Sequence, residues 1–210
     1  IFAFSACSLR EQIVGEFYLE QKSYEKGSKH FSKKIQKNPK DAKSQYYYAR
    51  FLLANKRYEK SLFHFKKAVY LDNTNSIYYS WLGISYSYNK NKNKEKESYL
   101  KALTLDKKNT QALLYLAHNL FDSKKYLKSL VYYKQVLALD EYNLYALYNR
   151  ALALNKLKRL AEEKNAWLVF LEAYPSLYLS NNAVTFLNNL GNYTYRNLII
   201  NKHKIVLKEI

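Results

Sequence analysis

Small and aromatic residues recur along the chain with a period of 34 residues. Small side chains mark one position of the period, at Gly15, Ala49, Gly83, Ala117 and Ala151. Aromatic side chains mark a second position, at Phe31, Phe65, Tyr99, Tyr133 and Trp167. A fixed period of this length is typical of repeat architectures, in which each unit buries its apolar face only against its neighbours.

Taking Ser8 as position 1 divides most of the chain into five repeats. Their bounds are 8–41, 42–75, 76–109, 110–143 and 144–177. Each repeat predicts two antiparallel helices joined by a short turn. The small residues at positions 8 and 20 allow the two helices to approach closely.

This pattern resembles the tetratricopeptide repeat (TPR), which has a small residue at position 8, aromatics at 17 and 24, and often a proline at 32. Repeat 1 supplies Gly15, Tyr24, Gly27, Phe31 and Pro39 at these and neighbouring positions. The resemblance implies an all-α fold, an α-solenoid of five TPR-like helix-turn-helix repeats over residues 8–177. It is specific for the fold and weak for function, because one fold hosts many unrelated partners.

Proline is absent from position 32 of repeats 2 to 4, so other residues must end and begin the helices there. We expect caps from Asp72, Asn73, Asp106, Asp140 and Asn143. Glu163 occupies a position where the family has a small residue, which predicts that repeat 5 is an atypical end repeat.

The period stops after Leu177. Apolar residues between Ala183 and Leu190 recur at helical spacing and predict a capping helix over 178–192. Two β-rich runs on either side of Asn201-Lys202 predict a short β hairpin, or the start of a further domain, over 193–210.

The stretch Phe4-Ser5-Ala6-Cys7 resembles a bacterial lipobox. The resemblance implies that residues 1–7 include the end of a signal peptide, that Cys7 is lipidated, and that the protein is anchored at a bacterial envelope facing the periplasm. The alternative is an apolar lead-in helix with a buried free cysteine. The single cysteine excludes an internal disulfide framework.

The net charge of +18 raises the possibility of a nucleic-acid or anionic-membrane partner. The 29 lysines far outnumber the six arginines, and they accompany many asparagines and tyrosines. Lysine, asparagine and tyrosine share AT-rich codons, and arginine is the better residue for phosphate and guanine recognition. We therefore favour a solvated lysine surface over a nucleic-acid footprint, with a preference for acidic partners or membrane headgroups at low salt.

The sequence contains no arrangement that predicts catalysis, a cofactor or a metal. The four histidines are not at metal-ligand spacing, and no glycine-rich phosphate loop is present. The acidic pairs Glu162/Glu163 and Glu95/Glu97 are expected to lie on exposed helix surfaces. We therefore expect a protein that is not an enzyme.

In the TPR family, positions 2, 5, 9 and 12 of each first helix line a concave groove. On this register the candidate partner-binding residues are Tyr46, Arg50, Ile84, Leu114, His118, Phe121, Tyr145 and Tyr148. Their mixed aromatic and aliphatic character suits an apolar or aromatic peptide, or an amphipathic helix. The alternative is that several of them pack between adjacent first helices.

The expected function is a lipid-anchored scaffold that binds a protein or peptide in this groove and assists assembly of an envelope complex. The alternative is a cytoplasmic regulatory or nucleic-acid-associated basic solenoid.

Overall fold

The computed structural model describes the backbone of residues 2–174, Ala183 and Thr185. It describes the side chains of these residues from Leu9 onward. These residues form ten helices and no strand. The helices are α1 (Phe2–Glu20), α2 (Tyr24–Lys37), α3 (Ala42–Ala54), α4 (Tyr58–Leu71), α5 (Ser76–Tyr88), α6 (Lys92–Leu105), α7 (Thr110–Asp122), α8 (Tyr126–Leu139), α9 (Leu144–Lys156) and α10 (Leu160–Ala173).

The fold class is the expected all-α solenoid of helix-turn-helix repeats. First helices begin at Ala42, Ser76, Thr110 and Leu144, so the 34-residue period is kept in the structure. Helix α1 begins earlier in its repeat, at Phe2, and its backbone includes Cys7 in the second turn. The expected β hairpin over 193–210 lies outside the described residues, as does the capping helix over 178–192 apart from Ala183 and Thr185.

Each repeat has the same turn between its two helices. A lysine in the left-handed backbone region follows every first helix, at Lys22, Lys56, Lys90, Lys124 and Lys158, with φ between 50° and 59°. The next residue closes the turn on the helix, as where the Arg57 N–H donates to the Leu52 carbonyl oxygen at 2.8 Å. This six-to-one hydrogen bond is the Schellman motif, which usually places glycine at the left-handed position.

The caps between repeats differ in part from the expectation. Asn143 does cap α9, since its Oδ1 accepts from the Ala146 N–H at 3.0 Å. Asn75 and Asn109 cap α5 and α7 in the same way. Asp72 instead lies at the end of α4, and its Oδ1 accepts from the Thr74 N–H at 3.1 Å. The aspartates therefore shape the turn between helices, and the asparagines three residues later begin the next helix.

The chain divides into two compact units, residues 1–112 and 113–210. In the N-terminal unit α3 contacts both α1 and α5, α2 packs against α1 and α3, and α4 packs against α3 and α5. The first helices therefore form one layer and the second helices another. Glycine permits the closest contacts, because a Cβ on Gly27 would lie 2.4 Å from the Phe51 ring and one on Gly15 would lie 2.3 Å from Tyr47.

In the C-terminal unit one cluster of buried apolar side chains lies between α9 and α10. Leu147, Ala151, Trp167 and Phe170 are buried there together with Ala183. The Trp167 and Phe170 rings meet edge to face, with centroids 6.1 Å apart. Burial of two large aromatic side chains makes this cluster the main source of hydrophobic stabilisation between these two helices.

Candidate partner-binding surface

Two of the predicted groove residues in the N-terminal unit are core residues. Tyr46 and Ile84 are only 6% and 5% exposed. The Tyr46 ring stacks on Tyr78 with centroids 4.9 Å apart, and burial raises the pKa of Tyr46 to about 12. These side chains hold adjacent first helices together and offer little area to a partner, which is the alternative packing role considered from the sequence.

Arg50 is held by contacts within the N-terminal unit. Its Nη1 donates to Glu16 Oε1 at 2.7 Å, and its guanidinium lies 4.5 Å from the centroid of the Trp81 ring. The Tyr47 hydroxyl donates to the same Glu16 oxygen at 2.9 Å. A guanidinium paired with a carboxylate and stacked on an indole is fixed in place, so Arg50 stabilises the packing of three first helices.

The sequence interpretation did not identify Glu16 as the partner of Arg50, although the register contains the signal. Both residues occupy position 9 of consecutive repeats, 34 residues apart and of opposite charge. Side chains at the same position of neighbouring first helices lie side by side in a stacked array. A search for opposite charges at this spacing would have found the ion pair.

In the C-terminal unit, the five predicted residues form a partly exposed surface on α7 and α9, together with Leu152. This α7/α9 face consists of Leu114, His118, Phe121, Tyr145, Tyr148 and Leu152. Tyr145 is 58% exposed, and the other five are half-buried. Side chains of this kind keep apolar area available for a partner while their inner atoms are fixed by packing.

A hydrogen bond joins the two helices of the α7/α9 face. Asn149 Nδ2 lies 3.3 Å from His118 Nε2 and 2.8 Å from the Tyr145 carbonyl oxygen. Burial lowers the pKa of His118, so the ring is neutral at pH 7 and Nε2 can accept from the amide. The face therefore carries no formal charge at neutral pH.

Tyr148 and Phe121 are positioned by aromatic contacts. The Tyr148 ring meets Trp167 at 5.3 Å and Phe170 at 5.4 Å, both edge to face. The Phe121 ring meets Tyr126 at 5.2 Å in the same geometry. The α7/α9 face is thus an ordered apolar and aromatic surface, suited to apolar side chains of a peptide or helix.

The expectation of exposed acidic pairs is wrong for one member of each pair. Glu163 has no exposed surface and Glu95 is buried, whereas Glu162 and Glu97 are exposed. Glu163 Oε1 accepts from Asn155 Nδ2 at 2.9 Å and from Trp167 Nε1 at 3.3 Å. The side chain at position 20 points between the two helices of a repeat. A glutamate at this position is therefore buried by the packing of the helices.

Within residues 2–174, Ala183 and Thr185, no group of three or more histidine, cysteine, aspartate or glutamate side chains could hold a metal ion. In the same part of the chain, no helix has the length and apolarity needed to cross a membrane.

No protein-family model and no curated protein matches this sequence. Solved structures do match. PilF of Pseudomonas aeruginosa aligns with a TM-score of 0.80 and 15% identity, covering 98% of this chain and 92% of that chain. TTC0263 of Thermus thermophilus, described as a TPR protein, gives 0.68 and 18% over 86% of this chain and 98% of that chain. YrrB, described as a TPR protein with an unusual peptide-binding site, gives 0.66 and 15% over 81% and 88%. At these identities the likeness shows a shared fold.

Proposed function

We propose that this chain, which has the tetratricopeptide-repeat fold, is a non-catalytic protein–protein interaction scaffold. Stacked helical hairpins build extended surfaces for holding other molecules, and structures with this fold include one described as having a peptide-binding site. The proposal places the principal contact on the α7/α9 face of the C-terminal unit.

This placement is supported by a difference in exposure: the predicted groove residues are more exposed in the C-terminal unit than Tyr46 and Ile84 are in the N-terminal unit. Tyr46 and Ile84 are buried, whereas Tyr145 is exposed and Phe121 and Tyr148 are half-buried and held by aromatic neighbours. Aromatic side chains that are already ordered lose little conformational entropy on binding, which favours them as anchors. The expected ligand is an apolar or aromatic peptide, or the apolar face of an amphipathic helix.

Site-specific photo-crosslinking tests the position of the binding surface. A photoreactive phenylalanine analogue at Tyr145 should form an adduct with the partner in cells. The same analogue at Leu127, an exposed apolar residue on α8, serves as the matched control and should form none. Equal adducts at both positions would overturn the placement.

The partner recovered by crosslinking then allows a measurement of affinity. Tyr145→Ala and Phe121→Ala should each weaken binding by about tenfold or more, because anchors in partner interfaces commonly cost above 1 kcal/mol when truncated. Binding should change little with salt, since the α7/α9 face is uncharged. A steep loss of binding with log salt would instead favour the alternative of a nucleic-acid-associated solenoid.

We also propose that the scaffold is lipid-anchored at a bacterial envelope through Cys7, facing the periplasm. The support is the lipobox-like run Phe4-Ser5-Ala6-Cys7 and its position directly before the first repeat. Metabolic labelling with a palmitate analogue, on protein expressed from its full-length gene in a bacterium, should modify the wild type and leave Cys7→Ser unmodified. Absence of label on the wild type would remove the anchor from the proposal and favour the cytoplasmic alternative, without affecting the α7/α9 face.

A further inference from the structure

The positive charge of the N-terminal unit is concentrated on its second helices. Helices α2, α4 and α6 carry twelve lysines and four glutamates, a net charge of +8. Helices α1, α3 and α5 carry one lysine, two arginines and three glutamates, a net charge of zero. The charge is therefore divided between the two helix layers of the unit.

Most of these lysines are exposed, although Lys34 donates to Glu11 on α1, and Lys66 and Lys94 lie over the Tyr86 ring of α5. Residues on α2 and α4 that are exposed include Lys26, Lys29, Lys33, Lys37, Lys60 and Lys66. Since α2 packs against α1 and α3, and α4 packs against α3 and α5, the exposed sides of α2 and α4 lie on the side of the unit away from the first-helix layer. We call the exposed side of α2, α4 and α6 the outer lysine face.

A general enrichment in lysine does not explain this distribution. The second helices of the C-terminal unit, α8 and α10, occupy the same positions in their repeats. They carry three lysines and three glutamates, which leaves no net charge. A compositional bias would enrich the second helices of both units alike, so the outer lysine face is a local property of the N-terminal unit.

Apolar side chains protrude among these lysines. Phe63 and Tyr70 on α4 are 61% and 86% exposed. They are seven residues apart and therefore lie on the same side of the helix, two turns from each other. Leu100 and Leu105 on α6 are also exposed.

We propose that the outer lysine face docks on an anionic lipid bilayer. Lysines near a bilayer are attracted by acidic headgroups, and aromatic rings between them can enter the boundary between headgroups and acyl chains. Helices α2, α4 and α6 contain no arginine, the residue best suited to nucleic-acid phosphates and bases. The exposed side chains of Leu100 and Leu105 gain free energy on entering a bilayer and make no favourable contact with a phosphodiester backbone. This proposal depends neither on the α7/α9 face nor on lipidation of Cys7.

Vesicle flotation of the full chain tests the proposal, with Cys7→Ser present to remove any contribution from an acyl anchor. The probes are vesicles of phosphatidylcholine alone and of phosphatidylcholine mixed with phosphatidylglycerol. The protein should partition onto the mixed vesicles at least about tenfold better than onto the neutral ones. The difference should shrink as salt is added. Equal partition onto the two kinds of vesicle would overturn the proposal.

Matched variants separate the outer lysine face from net charge. The double variant Lys29→Glu with Lys33→Glu should lower partition onto the anionic vesicles by about tenfold or more. Lys128→Glu with Lys134→Glu makes the same change of charge on α8 of the C-terminal unit and should have a much smaller effect. Equal losses in both double variants would indicate attraction by net charge alone and would contradict a specific face.

The apolar contribution is tested in the same assay. Phe63→Ser with Tyr70→Ser should weaken partition severalfold, whereas Leu127→Ser with Val131→Ser on α8 should not. All these positions are exposed, and circular dichroism should show unchanged helix content. Tighter binding to a single-stranded oligonucleotide than to the anionic vesicles, insensitive to loss of Phe63 and Tyr70, would assign the face to nucleic acid and overturn the bilayer proposal.

Discussion

Glu163 illustrates how a single residue departs from the repeat pattern at the residue scale. Position 20 is Gly27, Ser61 or Ser129 in three other repeats and the buried Glu95 in repeat 3, and the Ser61 hydroxyl donates to the Ala49 carbonyl oxygen at 2.9 Å. Glu163 fills the same space with a longer side chain that accepts hydrogen bonds from Asn155 and Trp167. A buried carboxylate is tolerated when N–H donors compensate the loss of water.

Glu163→Ala should therefore destabilise the protein, although alanine is closer to the usual residue at this position. Loss of the acceptor for the Asn155 amide and the Trp167 indole should lower the free energy of unfolding by about 1–3 kcal/mol. Glu162→Ala is the control, since Glu162 is exposed and its ion pair with Arg159 lies at the surface. That change should be within about 0.5 kcal/mol of wild type in urea unfolding. A Glu163→Ala protein as stable as wild type would contradict this role.

His64 is the second residue whose environment controls its charge. Its Nδ1 lies 2.7 Å from Gln45 Oε1, and Gln45 in turn donates from Nε2 to the Pro39 carbonyl oxygen at 2.9 Å. Burial and, to a smaller extent, the nearby Lys67 together lower the pKa of His64 to about 4. The ring is therefore neutral at pH 7, with Nδ1 donating to Gln45.

His64 should make the free energy of unfolding decrease as the pH is lowered. Between about pH 6.5 and 4 the unfolded chain takes up a proton at this residue and the folded chain does not, so acid favours unfolding. His64→Gln removes the titration and keeps a hydrogen-bond donor. The free energy of unfolding of wild type minus that of the variant should be lower at pH 5 than at pH 7. An equal difference at the two pH values would show that His64 does not titrate in this window.

The recurring turn is the notable feature at the scale of the element. All five repeats place lysine in a left-handed backbone conformation that glycine or asparagine adopts more easily. Asparagine is abundant in the chain, with 20 residues, yet none occupies this position in the five turns. Each turn between the two helices of a repeat therefore carries a positively charged side chain, even though the left-handed backbone conformation of lysine is unfavourable.

Lys56→Gly should relieve that cost in one turn. The free energy of unfolding should rise by about 0.5–1 kcal/mol, since release of left-handed strain outweighs the extra freedom of glycine in the unfolded chain. Lys29→Gly, in the middle of α2, is the control and should lower stability by about 1 kcal/mol. Chemical unfolding of both variants measures the two effects, and a loss of stability in Lys56→Gly would contradict the strain.

The 34-residue period predicted which residues form helices. Its small and aromatic positions make the same helix–helix contacts in every repeat, so they can be recognised from the sequence. The period left the burial of Tyr46 as an open alternative and did not predict that of Glu163, because both depend on neighbours particular to one repeat: Tyr78 for the first, and Asn155 with Trp167 for the second. The sequence predicted caps for α5 and α7 at Asp72, Asn73 and Asp106, whereas Asn75 and Asn109 act as the caps. Both residue types suit a cap, and only the backbone conformation decides which of them acts as one.

At the scale of the whole molecule, charge is the property that most affects behaviour in solution. Residues 1–112 contain 22 lysines and arginines against ten aspartates and glutamates, and the full chain carries a net charge of +18. Such an excess keeps a protein soluble, but repulsion between its like charges destabilises the folded state.

Added sodium chloride should therefore stabilise the protein. Screening of repulsion between lysines should raise the melting temperature between low and physiological ionic strength. The Lys29→Glu and Lys33→Glu double variant has a smaller excess of charge and should show a smaller rise. Thermal unfolding followed by circular dichroism provides the measurement, and a melting temperature that falls with salt would show that attractive ion pairs dominate.

The chain has two tryptophans, and each compact unit contains one of them. Trp81 lies beneath the Arg50 guanidinium in the N-terminal unit, and Trp167 is enclosed in the core of the C-terminal unit. Their intrinsic fluorescence consequently provides one optical signal per unit, each from a different environment. Versions retaining a single tryptophan would reveal whether the two units melt together or one after the other, without any external label.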